Sequence, residues 1–354
     1  MLRTARRRTA RRRTAALAAA ALSTLVVTAL PATAQAGTGS VTLLSTVDAA
    51  GAQAAATYWT PARMAAARPV DGPDVTTTGV AVASEAAAAA TAPHATVAPQ
   101  AAGPRRTLAG GPTVARGKRA AAVAVATPWT GAAPVTRRVG KVFFTRGSLP
   151  YVCSGSSIDS RNASVVVTAG HCATEGGVAS TNFVFVPGYS NGKRPAGTWP
   201  AQQLFTTPEW SGGDQDSAAA LNNDVAFAVV TPQGGRTLAA SVGSFAITFT
   251  DTASPVTVFG YPVSTRDDGE TLKYCRGQRF TDTSGTTDRG TNCTMAGGSS
   301  GGPWLAGFDP AAGTGTVASV VSFSYRDDPR RLFGPAFGSS VQAAYTRAST
   351  AVLS

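Results

Sequence analysis

The chain has 354 residues and a formal net charge of +12, and it is long enough for one large domain or two small ones. The charge is uneven, because residues 1–138 carry 16 Lys and Arg against 4 Asp and Glu, whereas residues 139–354 carry 15 of each kind. The C-terminal part therefore lacks the basic surface that a nucleic-acid partner requires. We expect no nucleic-acid partner.

The first 36 residues have the pattern of a secretory signal peptide. An arginine-rich start precedes an apolar run from Ala15 to Leu30 and the small residues Ala34-Gln35-Ala36, which is the order typical of exported proteins. A membrane anchor is the alternative, but the run is shorter than the ~20 apolar residues that a spanning helix needs. We expect a secreted, extracellular protein, exported by the Sec or the twin-arginine route, with no stable membrane anchor after signal removal.

Residues 37–134 are low in complexity. They are rich in Ala, Thr, Val, Pro and Gly and poor in aromatic residues, so they bury too little apolar surface to offset the entropy of ordering. Basic clusters at Arg105-Arg106, from Arg116 to Arg119 and at Arg137-Arg138 suit processing sites. We interpret the stretch as a disordered pro-segment or linker, and a spacer that is never cleaved fits the same residues equally well.

From residue 135 onward we predict one β-rich domain. Short runs rich in β-formers are separated by Gly, Pro, Asn and Asp turns, a pattern that predicts an all-β barrel or sandwich. The runs form two groups, about 139–235 and 245–340. Helix formers between Ser339 and Thr350 predict a C-terminal helix.

Three short motifs carry the groups that acyl transfer needs. His171, in Thr168-Ala-Gly-His-Cys172, is the sole credible general base, since the other histidine lies in the low-complexity stretch. Asp224 precedes an apolar strand, where a buried carboxylate would fix the tautomer of that base. Ser300 lies in Gly298-Ser-Ser-Gly-Gly-Pro303, where glycines leave room for an approaching carbonyl. A packed structural histidine and an ordinary turn aspartate are the alternatives.

Together these motifs resemble those of chymotrypsin-fold (trypsin-like) serine peptidases, and the secreted bacterial members related to V8-like glutamyl endopeptidases are the most similar. The spacings, 53 residues from His171 to Asp224 and 76 from Asp224 to Ser300, suit that family. The resemblance covers about residues 139–350 and implies two antiparallel six-stranded β-barrels with a C-terminal helix. The motif order separates the chain from α/β-hydrolases, whose histidine follows the serine.

The resemblance also implies a function, that of a secreted serine endopeptidase. His171 would take the proton of Ser300, Asp224 would orient His171, and an acyl-enzyme would form. The backbone N–H groups of Gly298 and Ser300 would make the oxyanion hole. Ser299 stands where zymogens of the family have an aspartate, so we expect activation without insertion of a new N-terminus.

An even number of cysteines in an exported chain predicts two disulfides. The resemblance implies a bridge between Cys153 and Cys172, which leaves Cys275 and Cys293 for the second.

The resemblance assigns substrate contacts to two places in the sequence. Thr294 stands where trypsin-like members have an acid, so a preference for Lys or Arg lacks its usual counter-charge. The stretch that includes Ser322, Phe323 and Ser324 resembles the strand that forms one wall of the substrate pocket and pairs with the substrate backbone.

We expect protein or peptide substrates, a monomer, and no metal or organic cofactor. The cluster Asp267-Asp268-Gly-Glu270 is the one alternative for calcium, and a solvated turn is the preferred interpretation because the spaced ligands of a calcium loop are lacking. Two other functions stay open, namely a non-catalytic binding protein on a protease scaffold and a cell-wall-associated protein that binds through its basic leader.

Overall fold

The computed structural model describes residues 41–79, 123–250, 255–295 and 297–354. The predicted signal peptide and residues 37–40 and 80–122 of the predicted linker lie outside these ranges. None of the helices formed within the described ranges is long and apolar enough to cross a membrane.

Strands make up most of the regular structure in the described ranges. In chain order they are β1 (Thr42–Thr46), β2 (Arg68–Pro69), β3 (Thr127–Pro128), β4 (Val139–Arg146), β5 (Leu149–Ile158), β6 (Val165–Thr168), β7 (Thr174–Glu175), β8 (Val178–Ala179), β9 (Thr181–Pro187), β10 (Trp199–Thr206), β11 (Ala226–Val230), β12 (Ala246–Ile247), β13 (Val256–Gly260), β14 (Lys273–Gly277), β15 (Arg279–Thr281), β16 (Arg289–Asn292), β17 (Pro303–Asp309), β18 (Thr314–Val320), β19 (Phe323–Tyr325) and β20 (Asp328–Gly334).

Short helices connect or flank these strands. They are α1 (Ala49–Tyr58), α2 (Pro61–Ala65), α3 (Ala133–Arg138), α4 (Gly170–Ala173), α5 (Pro208–Gly212), α6 (Ala218–Leu221), α7 (Leu238–Val242) and α8 (Ser339–Ser349). The last of them confirms the predicted C-terminal helix. It packs Val341, Ala344 and Ala348, all fully buried, into the main apolar core.

The first barrel closes on six strands. The ladder runs β10-β11-β6-β5-β4-β9, and β9 pairs again with β10 to complete the circle. All four residues of β6 and all five of β11 are buried, because one face of each strand fills the barrel and the other is covered by neighbouring segments. Their valines suit this position, since β-branched side chains pack well on a pleated surface.

The second β domain consists of two sheets. One has six strands in the order β12-β18-β17-β13-β14-β3, and the other has four in the order β15-β16-β20-β19. With the closed first barrel, this arrangement confirms the predicted chymotrypsin-like fold class.

Residues 41–79 are ordered, which corrects the prediction of a disordered stretch over 37–134. β1 pairs antiparallel with β10 of the barrel. Trp59 is buried against Phe143, with ring centroids 5.3 Å apart, and its indole N–H donates to the carbonyl of Asn182 at 2.6 Å. The prediction was wrong here because it asked whether the segment could bury its own apolar surface, whereas the barrel supplies the surface.

Residues 123–134 are also ordered, because they pack on a surface that the folded domain supplies. β3 pairs with β14, and Trp129 packs edge-to-face on Phe259 with centroids 5.2 Å apart. α3 runs across residue 135, where we predicted a domain to begin. The assignment of residues 37–134 as a pro-segment stays a prediction.

Candidate active site

His171 is held by Asp224 through two hydrogen bonds. Asp224 Oδ2 lies 2.7 Å from His171 Nδ1, and Asp224 Oδ1 accepts from the His171 backbone N–H at 2.7 Å. Asp224 is completely buried and His171 nearly so. A carboxylate at Nδ1 favours the tautomer with the proton on that nitrogen. The buried Nε2 has no hydrogen-bond partner among the described residues.

The first barrel brings these two residues together. His171 lies in α4, directly after β6, and Asp224 precedes β11 by two residues. The two strands are antiparallel, with Thr168 opposite Ala226. The end of one strand therefore meets the start of the other, and motifs separated by 53 residues come into contact.

A third group holds the carboxylate of Asp224. The hydroxyl of Ser322 donates to Asp224 Oδ2, so this residue does more than line the predicted substrate wall. No sequence signal pointed to this contact, because serine is a common residue and the two residues are 98 positions apart.

Ser300 lies in a tight turn that packs against the His171 motif. Its carbonyl accepts from Ser154 N–H at 2.7 Å, and Gly301 N–H donates to Val321 O at 2.7 Å. Gly301 has φ +79°, and a Cβ on it would lie 2.1 Å from Thr168 Oγ1. Only glycine fits this position. The close approach sets the serine turn against the strand that leads to His171.

Gly298 is buried in the serine turn and has a left-handed backbone conformation. Its φ is +84°, and its carbonyl accepts from Ser154 Oγ at 2.9 Å. Its N–H, one of the two predicted oxyanion donors, points to the carbonyl of Val70 at 3.3 Å. A backbone carbonyl of this chain therefore already occupies this donor.

A cavity of about 600 Å³ adjoins Ser300. All four residues predicted to bind substrate line it, namely Thr294, Ser322, Phe323 and Ser324. Arg326 also lines it, and sequence reasoning missed this residue although it follows the predicted wall strand by two positions. Residues 71–74 also line this cavity, and their sequence gave no signal of it.

A second cavity of about 240 Å³ is lined by His171, Trp210 and Arg146, and again by residues 70–74. The guanidinium of Arg146 donates to the carbonyl of His171. Burial lowers the pKa of Arg146. Sequence reasoning missed this residue as well, since an arginine at the end of a strand is unremarkable.

Both predicted disulfides are confirmed. Cys153 pairs with Cys172, and Cys275 pairs with Cys293. The first ties β5 to the helix that carries His171. The second ties β14 to the segment that leads into the serine turn.

The acidic cluster that we considered as a calcium site forms ion pairs with lysines of the same chain. Asp267 forms an ion pair with Lys273, and Glu270 pairs with Lys141 at 3.4 Å. Asp267 is buried, so the cluster differs from the solvated turn that we preferred. In the part of the chain that the structure describes, the one cluster of potential metal ligands is formed by the disulfide Cys153–Cys172 and His171. Disulfide sulfurs do not offer thiolates to a metal.

Asp288 is a buried acid near the site. It is fully buried, and neither carboxyl oxygen has a hydrogen-bond partner among the described residues. Desolvation raises its pKa well above the ordinary range, and the nearby charges of Asp282 and Asp224 act in the same direction.

Replacing Asp288 by Asn is expected to stabilise the protein at pH 8. Because the folded-state pKa lies above the unfolded value of about 3.9, the free energy of unfolding falls as pH rises from that value through the folded pKa. The amide does not ionise, so the free energy of unfolding of D288N lacks this dependence on pH. At pH 8 it exceeds that of wild type by on the order of 1–3 kcal/mol. Urea denaturation at pH 5 and pH 8 measures both effects. The matched control, D282N, disturbs the bond from Tyr325 at 2.6 Å and loses stability. The same pH slope in wild type and D288N would contradict the assignment.

Comparison with known proteins decides the family. The family model described as Trypsin matches residues 114–346. The chain belongs to the trypsin family. The match confirms the predicted enzyme class, a serine-type endopeptidase. Residues 41–79 lie outside the matched range.

Solved structures of other proteases are similar to the chain. The protease Anisep from Arthrobacter nicotinovorans shares 38% identity over 62% of this chain and 99% of its own, with a TM-score of 0.57. The thermostable serine protease AL20 from an extremophilic microorganism shares 36% identity over 62% of this chain and 100% of its own, also with a TM-score of 0.57. A Glu endopeptidase is 18% identical over 64% of this chain and 97% of its own, with a TM-score of 0.49. No curated protein matches the sequence.

Proposed function

We propose that this trypsin-family chain is an exported endopeptidase that cleaves protein or peptide substrates with Ser300, His171 and Asp224. One observation carries the proposal. Asp224 fixes both Nδ1 and the backbone N–H of His171, while the buried Nε2 is unpartnered among the described residues and the serine turn packs against the same motif. This is the arrangement that a general base serving a hydroxyl nucleophile requires.

The reaction proceeds in two halves. Ser300 Oγ attacks the carbonyl carbon of the substrate while His171 Nε2 takes the hydroxyl proton, and His171 then gives that proton to the departing amine. Water enters, loses a proton to His171 and attacks the acyl carbonyl; as the acid product leaves, His171 returns that proton to Ser300 Oγ. Asp224 remains a carboxylate throughout and stabilises the imidazolium. The N–H groups of Gly298 and Ser300 bind the oxyanion, and each such donor is worth on the order of 10²–10³ in kcat.

Export fits the covalent structure. Two disulfides persist in oxidising compartments and are rare in the cytosol. The arginine-rich, apolar N-terminus supplies a signal for export. We therefore assign the protein to the extracellular space, where it acts as a monomer.

A fluorophosphonate probe tests the proposed nucleophile. Labelling is carried to its endpoint, so that a slowly reacting site still registers, and the adduct is located by peptide mapping. We expect one adduct, on Ser300, which S300A abolishes. S299A, which removes the neighbouring hydroxyl in the same turn, retains labelling. A folded wild-type protein without an adduct would contradict the proposal and favour a non-catalytic protein on a protease scaffold.

A further inference from the structure

Residues 70–77 cross the candidate active site, and their course begins on the first barrel. β2 pairs in parallel with β5, which places Arg68 opposite Tyr151. Val70 then donates its N–H to Val152 O at 3.1 Å and accepts from the Gly298 N–H at 3.3 Å. The contact with the predicted oxyanion donor is therefore made by the backbone of the segment, because the carbonyl of Val70 faces the N–H of Gly298.

The next residues fill the space in front of the catalytic groups. Residues 71–74 line both the cavity beside Ser300 and the cavity beside His171. Contact with the pocket wall is tight, because a Cβ on Gly72 would lie 2.5 Å from the carbonyl oxygen of Ser322. Asp71 lies close to the serine turn, since a Cβ on Gly297 would lie 2.8 Å from Asp71 Oδ1.

Beyond the cleft the segment is anchored to the second β domain. Val75 is buried in an apolar cluster with Phe323, and its carbonyl accepts from Arg326 N–H at 2.9 Å. Asp74 Oδ1 lies 2.7 Å from Arg326 Nε. Thr77 donates its hydroxyl to Asp327 Oδ2 at 2.5 Å and its N–H to Asp327 Oδ1 at 3.1 Å. The segment is therefore fixed on both sides of the cleft.

We propose that residues 70–77 form an inhibitory strap that excludes substrate from the active site until the strap is displaced. The proposal rests on the function proposed above, because it needs Ser300 to be the nucleophile. The strap occupies the amide that would bind the oxyanion and the wall that would bind substrate backbone. As part of the same chain it competes at an effective concentration up to about millimolar. If strap and substrate bind the site with equal affinity, a substrate below that concentration is excluded for most of the time.

Crosslinking tests the position of the strap without reference to activity. In the full chain, T77C with D327C places two thiols where the native side chains touch, and neither residue lines either cavity. We expect an intrachain disulfide on mild oxidation, identified by peptide mapping, and none in either single variant. A folded double variant that forms no such bond overturns the proposal.

Probe labelling rates test the inhibition. In the full-length protein, G72V sets a branched side chain against the pocket wall and expels the strap, so the rate constant for labelling rises at least about tenfold. The matched control is G338V, since a Cβ at Gly338 meets nothing within 4 Å, and its rate equals that of wild type. D74K, which opposes Arg326 with a like charge on an exposed residue, serves as a second displacing variant if G72V fails to fold.

Three outcomes would overturn the inhibitory role. The first is a wild-type rate equal to that of the folded displacing variant. The second is cleavage of the strap between residues 70 and 77 by the protein's own activity, which would make it a substrate. The third is a crosslinked strap with no labelling in any variant, in which case the proposed nucleophile fails as well. A fast wild-type rate with Ser300 labelled leaves the proposed function intact and removes only the strap.

Discussion

Replacing Asp224 by Asn is expected to lower kcat/KM by on the order of 10⁴ at neutral pH. Asp224 accepts from both Nδ1 and the backbone N–H of His171, each at 2.7 Å. An asparagine oxygen can satisfy only one of these, and the NH₂ group then faces the other. If it faces Nδ1, that nitrogen must accept, the proton moves to Nε2, and the base can no longer take the proton of Ser300.

The measurement is hydrolysis of a peptide substrate in the G72V background, so that the strap does not mask the chemistry. The control is S322A, which removes one donor to Asp224 and leaves both bonds to His171 in place. We expect the kcat/KM of this variant to fall about tenfold, which corresponds to about 1.4 kcal/mol of transition-state stabilisation. If the rate of D224N lies within tenfold of its parent while its melting temperature is unchanged, His171 does not depend on the carboxylate.

Replacing Gly301 by Ala is expected to lower the free energy of unfolding by about 2–5 kcal/mol. An added Cβ would lie 2.1 Å from Thr168 Oγ1 and 2.4 Å from Ser154 O, and overpacking of this kind costs about 1–3 kcal/mol. The φ of +79° adds about 1–2 kcal/mol for a residue with a Cβ. The same displacement pushes Ser300 away from the His171 motif, so endpoint probe labelling is lost in the fraction that folds.

Gly307 provides the matched control. Its φ is +57°, and a Cβ there meets nothing within 4 Å, so G307A carries only the conformational cost of about 1–2 kcal/mol. Urea denaturation of the two variants separates strain from steric clash. Equal losses in G301A and G307A would show that the serine turn yields without cost and does not position Ser300 rigidly.

The candidate catalytic residues could be named from the sequence because the chemistry proposed for them is local in sequence. His171, Asp224 and Ser300 each lie in a short motif, and the order of the three motifs is diagnostic. The strands were predictable because valine-rich runs and turn residues alternate along the chain. The disulfide partners followed from the number of cysteines and the family resemblance.

The contacts between distant segments were not predictable. Ser322 reaches Asp224 across 98 residues, and nothing near either residue marks the pair. Trp59 looks isolated in an alanine-rich stretch, yet Phe143 and the carbonyl of Asn182 complete its site. The composition of a segment indicates whether it can form a core of its own. It does not indicate whether another segment provides a core against which it can pack.

The strap lies N-terminal to the basic clusters in the sequence. A cut at those clusters would therefore not by itself remove the strap from the active site. A cut at Arg105-Arg106 or between Arg116 and Arg119 would leave residues 41–79 seated on the barrel through β1, Trp59 and the strap itself. The fragment would then be a dissociable ligand, and its occupancy would depend on the total amount of protein per volume. In a crowded compartment the pair would stay together, whereas release into a large external volume would separate them. Dilution alone could then start the enzyme, far from the cell that made it.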